Sequence, residues 1–260
     1  MRLLLLALFL AATQAQAEPV TIQTPEVELR AAYTPAQGPA NPPAIVALHG
    51  CGGPFPARDH QWRDLLAERG HPILLPDSFG SRGLGSQCTN ASRTIGPNGK
   101  RRTDTVAAAK WLAAQPGTPP GGIVVMGWSN GGSTVLAAAA QGVMPPGIVR
   151  AFVAFYPGCQ SYADRPEWSP SAPMLIVMGE ADDWTPAEPC RRLAARFPDR
   201  IKLVLYPGAY HDFDAPNRPV TIRRSLAYTA NGDGVAHVGT NPAAREAALR
   251  DVPLWIEQAR

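Results

Sequence analysis

Residues 123–132 read Ile123-Val124-Val125-Met126-Gly127-Trp128-Ser129-Asn130-Gly131-Gly132, and the chain runs on into Ser133-Thr134-Val135-Leu136-Ala137-Ala138-Ala139-Ala140. An apolar, β-branched run, a serine bracketed by glycines and an alanine-rich segment follow one another without a break. That order predicts a buried strand over Ile123–Met126, a sharp turn carrying Ser129, and a helix over Gly131–Ala140. Gly127-Trp128-Ser129-Asn130-Gly131 matches the G-x-S-x-G pattern that exposes a nucleophilic serine at a strand-to-helix corner. Such a corner forces unfavourable backbone angles on the serine. The flanking glycines leave room where a Cβ would strike neighbouring backbone.

Working outward, similar apolar runs occupy Ala44–Leu48, His71–Leu75, Phe152–Tyr156, Met174–Met178 and Ile201–Leu205. Helical patterns lie between them, at about residues 58–69, 103–114 and on to Phe197. A last helical region runs from Pro242 to the C-terminus and is interrupted at Pro253. Fully apolar strands alternating with helices indicate the α/β class, a mostly parallel central sheet with helices on both faces. Thr185-Pro186-Ala187-Glu188 reads as a capping box with proline at the first helical position, and Asn241-Pro242 repeats the cap-then-proline order. With no repeat and no linker in view, residues 18–260 are expected to form one domain.

Of the 260 residues 45% are hydrophobic, ample for a core of that size. The formal charge is only +3 and the longest basic block is Lys100-Arg101-Arg102, so no nucleic-acid partner is expected. Met1-Arg2, the apolar run Leu3–Ala12 and Ala15-Gln16-Ala17 together read as a secretory signal peptide over residues 1–17. The run is too short to cross a bilayer, which takes about 20 residues in a helix, and no later stretch is long enough either. The expected product is therefore exported, to the periplasm or the extracellular space, without a membrane span. Cys51, Cys88, Cys159 and Cys190 would then meet an oxidising compartment and pair as disulfides. Their spacing leaves the connectivity open. With no C-x-x-C and no histidine at ligand spacing from a cysteine, no metal is expected, nor any organic cofactor.

In open α/β sheets ligands bind beyond the carboxyl ends of the strands, so the loops after Leu48, Leu75, Met126, Tyr156, Met178 and Leu205 carry the interest. A serine hydroxyl needs a base. Among five histidines, His211 in Tyr206-Pro207-Gly208-Ala209-Tyr210-His211-Asp212-Phe213 follows the last strong strand, with His237 as the alternative. A carboxylate between serine and histidine in chain order would complete the set. Gly179-Glu180-Ala181-Asp182-Asp183-Trp184-Thr185-Pro186 offers Glu180, Asp182 and Asp183, and spacing alone does not separate the two aspartates. The glycine-rich turn His49-Gly50-Cys51-Gly52-Gly53 can aim a backbone N–H at a developing oxyanion. The amides of Cys51 and Asn130 are the expected pair, with His49 bonding within its own loop. Trp128 and Trp184 flank these residues and are candidates to wall an apolar pocket, core packing being the alternative. Substrate choice is assigned to residues 77–100 and 213–240, which show little periodicity.

Leu48-His49-Gly50, Gly127-Trp128-Ser129-Asn130-Gly131-Gly132, and Gly179–Pro186 ahead of Tyr206–Phe213 together resemble the dienelactone hydrolase family of α/β hydrolases, over about Pro42 to Ile256. The resemblance implies an α/β-hydrolase fold without a large lid, since the segment from Cys159 to Met174 is too short for one. It also places the family's acid on the first aspartate of G-x-x-D-x-x-x-P, which is Asp182. The founding enzymes use a cysteine nucleophile held by a glutamate; this chain has Ser129 and, at the loop position, Gly50. Those enzymes grip the lactone carboxylate with two arginines. Arg82 approximates one, and Ala215 stands near where the other would follow His211, so dienelactone itself is not the expected substrate. Leu48-His49-Gly50-Cys51-Gly52 is similar as well to secreted feruloyl and polyhydroxybutyrate esterases. Under the sheet order of the fold, Cys51 and Cys88 follow neighbouring strands, as do Cys159 and the helix with Cys190, which implies the pairs Cys51–Cys88 and Cys159–Cys190. The expectation is an exported serine hydrolase, monomeric by default, cleaving small-molecule or polymeric carboxylic esters or lactones through Ser129, His211 and Asp182. Alternatives are a feruloyl- or polyester-type esterase, a peptidase, thioesterase or acyltransferase of the same fold, or a non-catalytic binding protein.

Overall fold

The computed structural model describes residues 16–259 apart from Pro42 and Gly121, so the segment read as a signal peptide, residues 1–17, lies almost wholly outside the described residues. In chain order the elements are β1 (Glu18–Gln23), β2 (Glu28–Thr34), β3 (Ala44–Leu48), α1 (Pro56–Glu68), β4 (Ile73–Pro76), α2 (Lys100–Ala113), β5 (Ile123–Trp128) and α3 (Asn130–Ala139). They continue with β6 (Val149–Phe155), α4 (Gln160–Ala163), β7 (Met174–Gly179), α5 (Ala187–Arg196), β8 (Ile201–Tyr206), β9 (Thr221–Arg223), β10 (Ala236–Val238) and α6 (Pro242–Gln258).

Eight strands form one sheet in the order β1-β2-β4-β3-β5-β6-β7-β8. From β4 to β8 neighbours run parallel, whereas β1–β2 and β2–β4 are antiparallel. Every residue of β3, β5 and β7 is buried, so helices cover both faces of the sheet centre, as continuous Val/Ile/Leu runs require. Burying each such side chain contributes about 1.5–3 kcal/mol, which makes these strands the backbone of stability. Among the described residues no lid domain is inserted, and no helix is long and apolar enough to cross a membrane.

Three local readings change. The hairpin β1–β2 was not anticipated, because its burial alternates (β2 reads exposed, buried, exposed, buried) and only continuous apolar runs mark the sheet centre. Pro253 does not interrupt α6: it is buried, and Ala244, Ala248, Val252 and Ile256 keep one face of the helix docked across it. The cap at the other end of α6 is as expected, Asn241 Oδ1 accepting from Ala244 N at 3.1 Å with Pro242 in the first turn. The capping box before α5 does not form. Pro186 occupies the cap position without a side-chain bond, and Thr185 turns into the loop after β7 instead.

The segment 213–240 holds the short hairpin β9–β10. Leu226, Ala236 and Val238 from this segment pack with Trp184 and with Cys51 and Cys88 into a small apolar cluster separate from the main core. Cys51 is disulfide-bonded to Cys88, and Cys159 to Cys190.

Candidate active site

The site grows from the corner between β5 and α3. Ser129 has φ +54°, a left-handed value that a side chain adopts only under constraint. The corner is that tight because backbone passes where side chains would stand. A Cβ on Gly131 would lie 2.2 Å from the Leu48 carbonyl oxygen, and one on Gly127 2.7 Å from the Gly131 backbone. The serine is thereby pressed against the end of β3.

Ser129 Oγ donates to His211 Nε2 at 2.9 Å, and His211 Nδ1 donates to Asp182 Oδ2 at 2.7 Å. The loops after β7 and β8 are locked to each other by Glu180 N to Tyr206 O and Ala181 N to Ala209 O, which fixes the carboxylate opposite the imidazole. The other Asp182 oxygen accepts from the amides of Trp184 and Thr185, both at 2.9 Å. Thr185 Oγ1 stands 3.1 Å from Asp182 Oδ2 and 3.0 Å from the Tyr156 carbonyl, so the residue expected to cap a helix braces the acid. Asp183 points elsewhere: His237 Nδ1 donates to its Oδ2 at 2.7 Å and His237 N to its Oδ1 at 2.8 Å. Each of the two consecutive aspartates thus has its own histidine, and it is His211, not the alternative base His237, that meets Ser129.

His211 and Asp182 are almost fully buried. Burial opposes charge on the imidazole, but the Asp182 carboxylate favours it by charge and by hydrogen bond, and the net His211 pKa is raised above the ordinary value.

In the turn after β3, Cys51 lines the same cleft as Ser129, and Asn130 is the first residue of α3. Among the described residues neither backbone N–H has an acceptor. His49 shapes this turn. Its Nδ1 donates to Gly50 O at 2.8 Å while its Nε2 accepts from Ser78 N at 3.2 Å, a pattern that assigns the proton to Nδ1. Burial and the Arg101 charge hold its pKa well below the usual imidazole value, so it stays neutral.

A cleft of about 200 Å³ opens over Ser129 and His211, bounded by Gly50–Phe55, Cys88, Trp184 and three arginines, Arg58, Arg218 and Arg223. A larger groove, about 990 Å³ between β1, α2 and Gly142-Val143, contains none of these groups. Trp184 lines the cleft and its ring lies 4.8 Å from that of His211. Trp128 does not line it: fully buried, it donates Nε1 to Asp214 at 2.9 Å and stacks on Phe155 in the core. Arg82 also stays out of the cleft, because Asp104, 1% exposed, needs a cation and takes both guanidinium nitrogens at 2.7 and 2.9 Å. The cationic groups that do reach the cleft went unread in the sequence. Arg218 and Arg223 sit in the segment without periodicity, and Arg58 resembles any other charge on α1.

Beneath the site, Asp214 is fully buried and accepts from Trp62 Nε1 at 2.7 Å, Trp128 Nε1 at 2.9 Å and Tyr156 OH at 2.6 Å. Burial raises its pKa, against the pull of Arg58 and these donors. Tyr156, at φ +35°, packs its ring 4.6 Å from His211.

Comparison with known proteins agrees with this architecture. A dienelactone hydrolase from Anabaena variabilis superposes with TM-score 0.65 at 20% identity, covering 95% of this chain and 99% of its own. A dienelactone hydrolase-like promiscuous phosphotriesterase from metagenomic libraries gives TM-score 0.73 at 17% identity, covering 95% and 99%. In sequence, dipeptidyl aminopeptidase BIII of Pseudoxanthomonas mexicana is 34% identical over 114 residues, 41% of this chain. The match spans only 16% of that aminopeptidase's length. An uncharacterized protein of Mycobacterium tuberculosis is 26% identical over 226 residues, covering 76% of this chain and 74% of its own. The profile of the Dienelactone hydrolase family matches residues 31–260, the sheet from the middle of β2 onward together with every group of the site, and the chain belongs to that family.

Proposed function

We propose that the protein is a serine hydrolase that cleaves carboxylic esters or lactones through an acyl-enzyme. The reading rests on one observation, the unbroken hydrogen-bond series Ser129 Oγ, His211 Nε2, His211 Nδ1, Asp182 Oδ2 at 2.9 and 2.7 Å beside two unengaged amides. As Oγ attacks the carbonyl carbon, His211 takes its proton, and Asp182 holds the imidazole in the acceptor tautomer and stabilises the imidazolium. The carbonyl oxygen, now negative, sits between the Cys51 and Asn130 amides, each such donor typically contributing about 3 kcal/mol. The tetrahedral centre collapses, His211 protonates the departing alcohol, and water repeats the sequence on the acyl-serine. These steps call on no metal and no organic cofactor. The two disulfides support residence in an oxidising compartment, the periplasm or the cell exterior.

A fluorophosphonate serine probe tests the proposal directly. One adduct per chain on the peptide carrying Ser129, with loss of p-nitrophenyl acetate turnover in step, is the expected result. Labelling elsewhere with turnover intact would contradict it. The aminopeptidase relative makes amide hydrolysis the second reading, and dipeptide p-nitroanilides assayed alongside separate the two bonds.

The acid limb of the rate is a second check. Only neutral His211 can accept the serine proton, and Asp182 raises its pKa. Activity is therefore lost as pH falls through a value above the ordinary imidazole pKa of about 6.5. A kcat/KM profile for p-nitrophenyl acetate should reach half its plateau above that pH, and a midpoint below it would contradict the assignment.

A further inference from the structure

Arg101, in the first turn of α2, is 1% exposed and enters no step described so far. Burying a guanidinium without a carboxylate is costly. Among the described residues it forms no ion pair; Asp104, one turn on, is engaged by Arg82. Burial pulls the Arg101 pKa down to about 9. Ordinary packing does not account for a charge in such a place.

Its hydrogen bonds do. Nη1 donates to Asn130 Oδ1 at 2.6 Å and Nη2 to the His49 carbonyl at 2.7 Å. Asn130 supplies one unengaged amide of the site, and His49 lies two residues before Cys51, which supplies the other. One rigid planar group therefore spans the two separate loops that carry these unengaged amides. Below it, Phe79 packs 5.0 Å from the guanidinium carbon, and its ring meets the His49 ring at 4.8 Å. The Cys51–Cys88 bond ties the same turn from its far side.

We infer that Arg101 is a positioning residue of the oxyanion hole, setting the spacing of the Cys51 and Asn130 amides by bridging His49 to Asn130. The bridge costs nothing at the moment of reaction, since both acceptors are engaged before substrate arrives. Lysine, a point donor on a flexible stem, cannot reproduce a planar two-pronged bridge.

The inference rests on the serine-hydrolase reading, and the experiment keeps the two apart. Wild type, Ser129→Ala, Arg101→Lys and Arg101→Met are compared with p-nitrophenyl acetate as substrate and an aryl trifluoromethyl ketone, which adds to the serine as an oxyanion, as transition-state mimic. Rates of wild type and the Arg101 variants are expressed per serine titrated to completion with fluorophosphonate, and that of Ser129→Ala per mole of folded protein. Arg101→Met is expected to lower kcat about 10- to 100-fold with KM changed less than twofold, and to weaken ketone binding by the same factor. Arg101→Lys should recover part of both. The side-chain variant Asn130→Ala, which keeps its amide, should add little on top of Arg101→Met. If wild type and Ser129→Ala turn over equally, the functional reading fails. If wild type is active and Ser129→Ala is not, but kcat per titrated serine or ketone affinity is unchanged in both Arg101 variants, this inference alone is overturned.

Discussion

Ser129→Ala is expected to lower kcat for p-nitrophenyl acetate by roughly 10⁶-fold, the magnitude seen when a nucleophile is removed from a cooperating triad. The mechanism proposed above routes both half-reactions through Oγ, and no thiol stands in reserve, since all four cysteines are in disulfides. What persists is the attraction of the two amides for a developing oxyanion, with about 10³–10⁴-fold acceleration over water. The variant should fold normally, since alanine keeps the Cβ and the strain at φ +54° stems from the backbone, not from the hydroxyl. Circular dichroism and the melting temperature should match wild type. A folded Ser129→Ala protein retaining more than a few per cent of the rate would refute the proposed mechanism.

Asp214→Ala carries the second large effect, on stability. It removes an acceptor shared by Trp62, Trp128 and Tyr156 and strands all three donors where water does not reach. Each buried orphan costs about 1–3 kcal/mol, so the sum is on the order of 6 kcal/mol. Arg58, 2% exposed and kept charged against its burial by Asp59, Asp214 and Asp212, loses one of its acids as well. That loss compares with the whole stability of many domains, and the variant is expected to be largely unfolded or to aggregate at room temperature. Trp62→Phe, which removes one donor and leaves the carboxylate two, should cost about 1–2 kcal/mol in urea denaturation. Near-equal midpoints for Asp214→Ala and Trp62→Phe would show that the carboxylate does not organise this region.

The sheet from β3 to β7 was readable because its strands are largely buried on both faces, an environment that unbroken apolar runs satisfy, and the edge strand β8 because Leu203, Val204 and Leu205 stay apolar although Lys202 is exposed. The β1–β2 hairpin escaped because Leu29 and Ala31 are buried while Glu28 and Arg30 are exposed, an alternation that a search for central strands passes over. Ser129 and His211 stood out because strand order and chain order single out their loops, whereas Asp182 is separated from Asp183 only by the resemblance of Gly179–Pro186 to the family's G-x-x-D-x-x-x-P loop. Arg218 and Arg223 were not legible. What brings them to the cleft is the packing of Leu226, Ala236 and Val238 on Trp184 and a disulfide, contacts between segments far apart in sequence. Thr185 was misread for a related reason: a hydroxyl before a helix has a local use as a cap, and only the tertiary approach of Asp182 and Tyr156 shows that it serves another. Likewise Arg82 had a buried acid to satisfy, and the partnership with Asp104 spans 22 residues.

The small apolar cluster at the cleft rim bears on how such a protein can diversify. Cys51, Cys88, Trp184, Leu226, Ala236 and Val238 form a core of their own, so the segments that bound the substrate space are anchored to one another rather than threaded into the main interior. Substitutions far from shared partners act almost independently. A lineage can therefore reshape this rim, lengthening the hairpin or exchanging an arginine, while the free energy that holds the sheet stays nearly untouched. Selection for a new substrate then need not contend with selection for folding. The same partition fits a chain that superposes on a solved relative with TM-score 0.73 while sharing 17% of its residues.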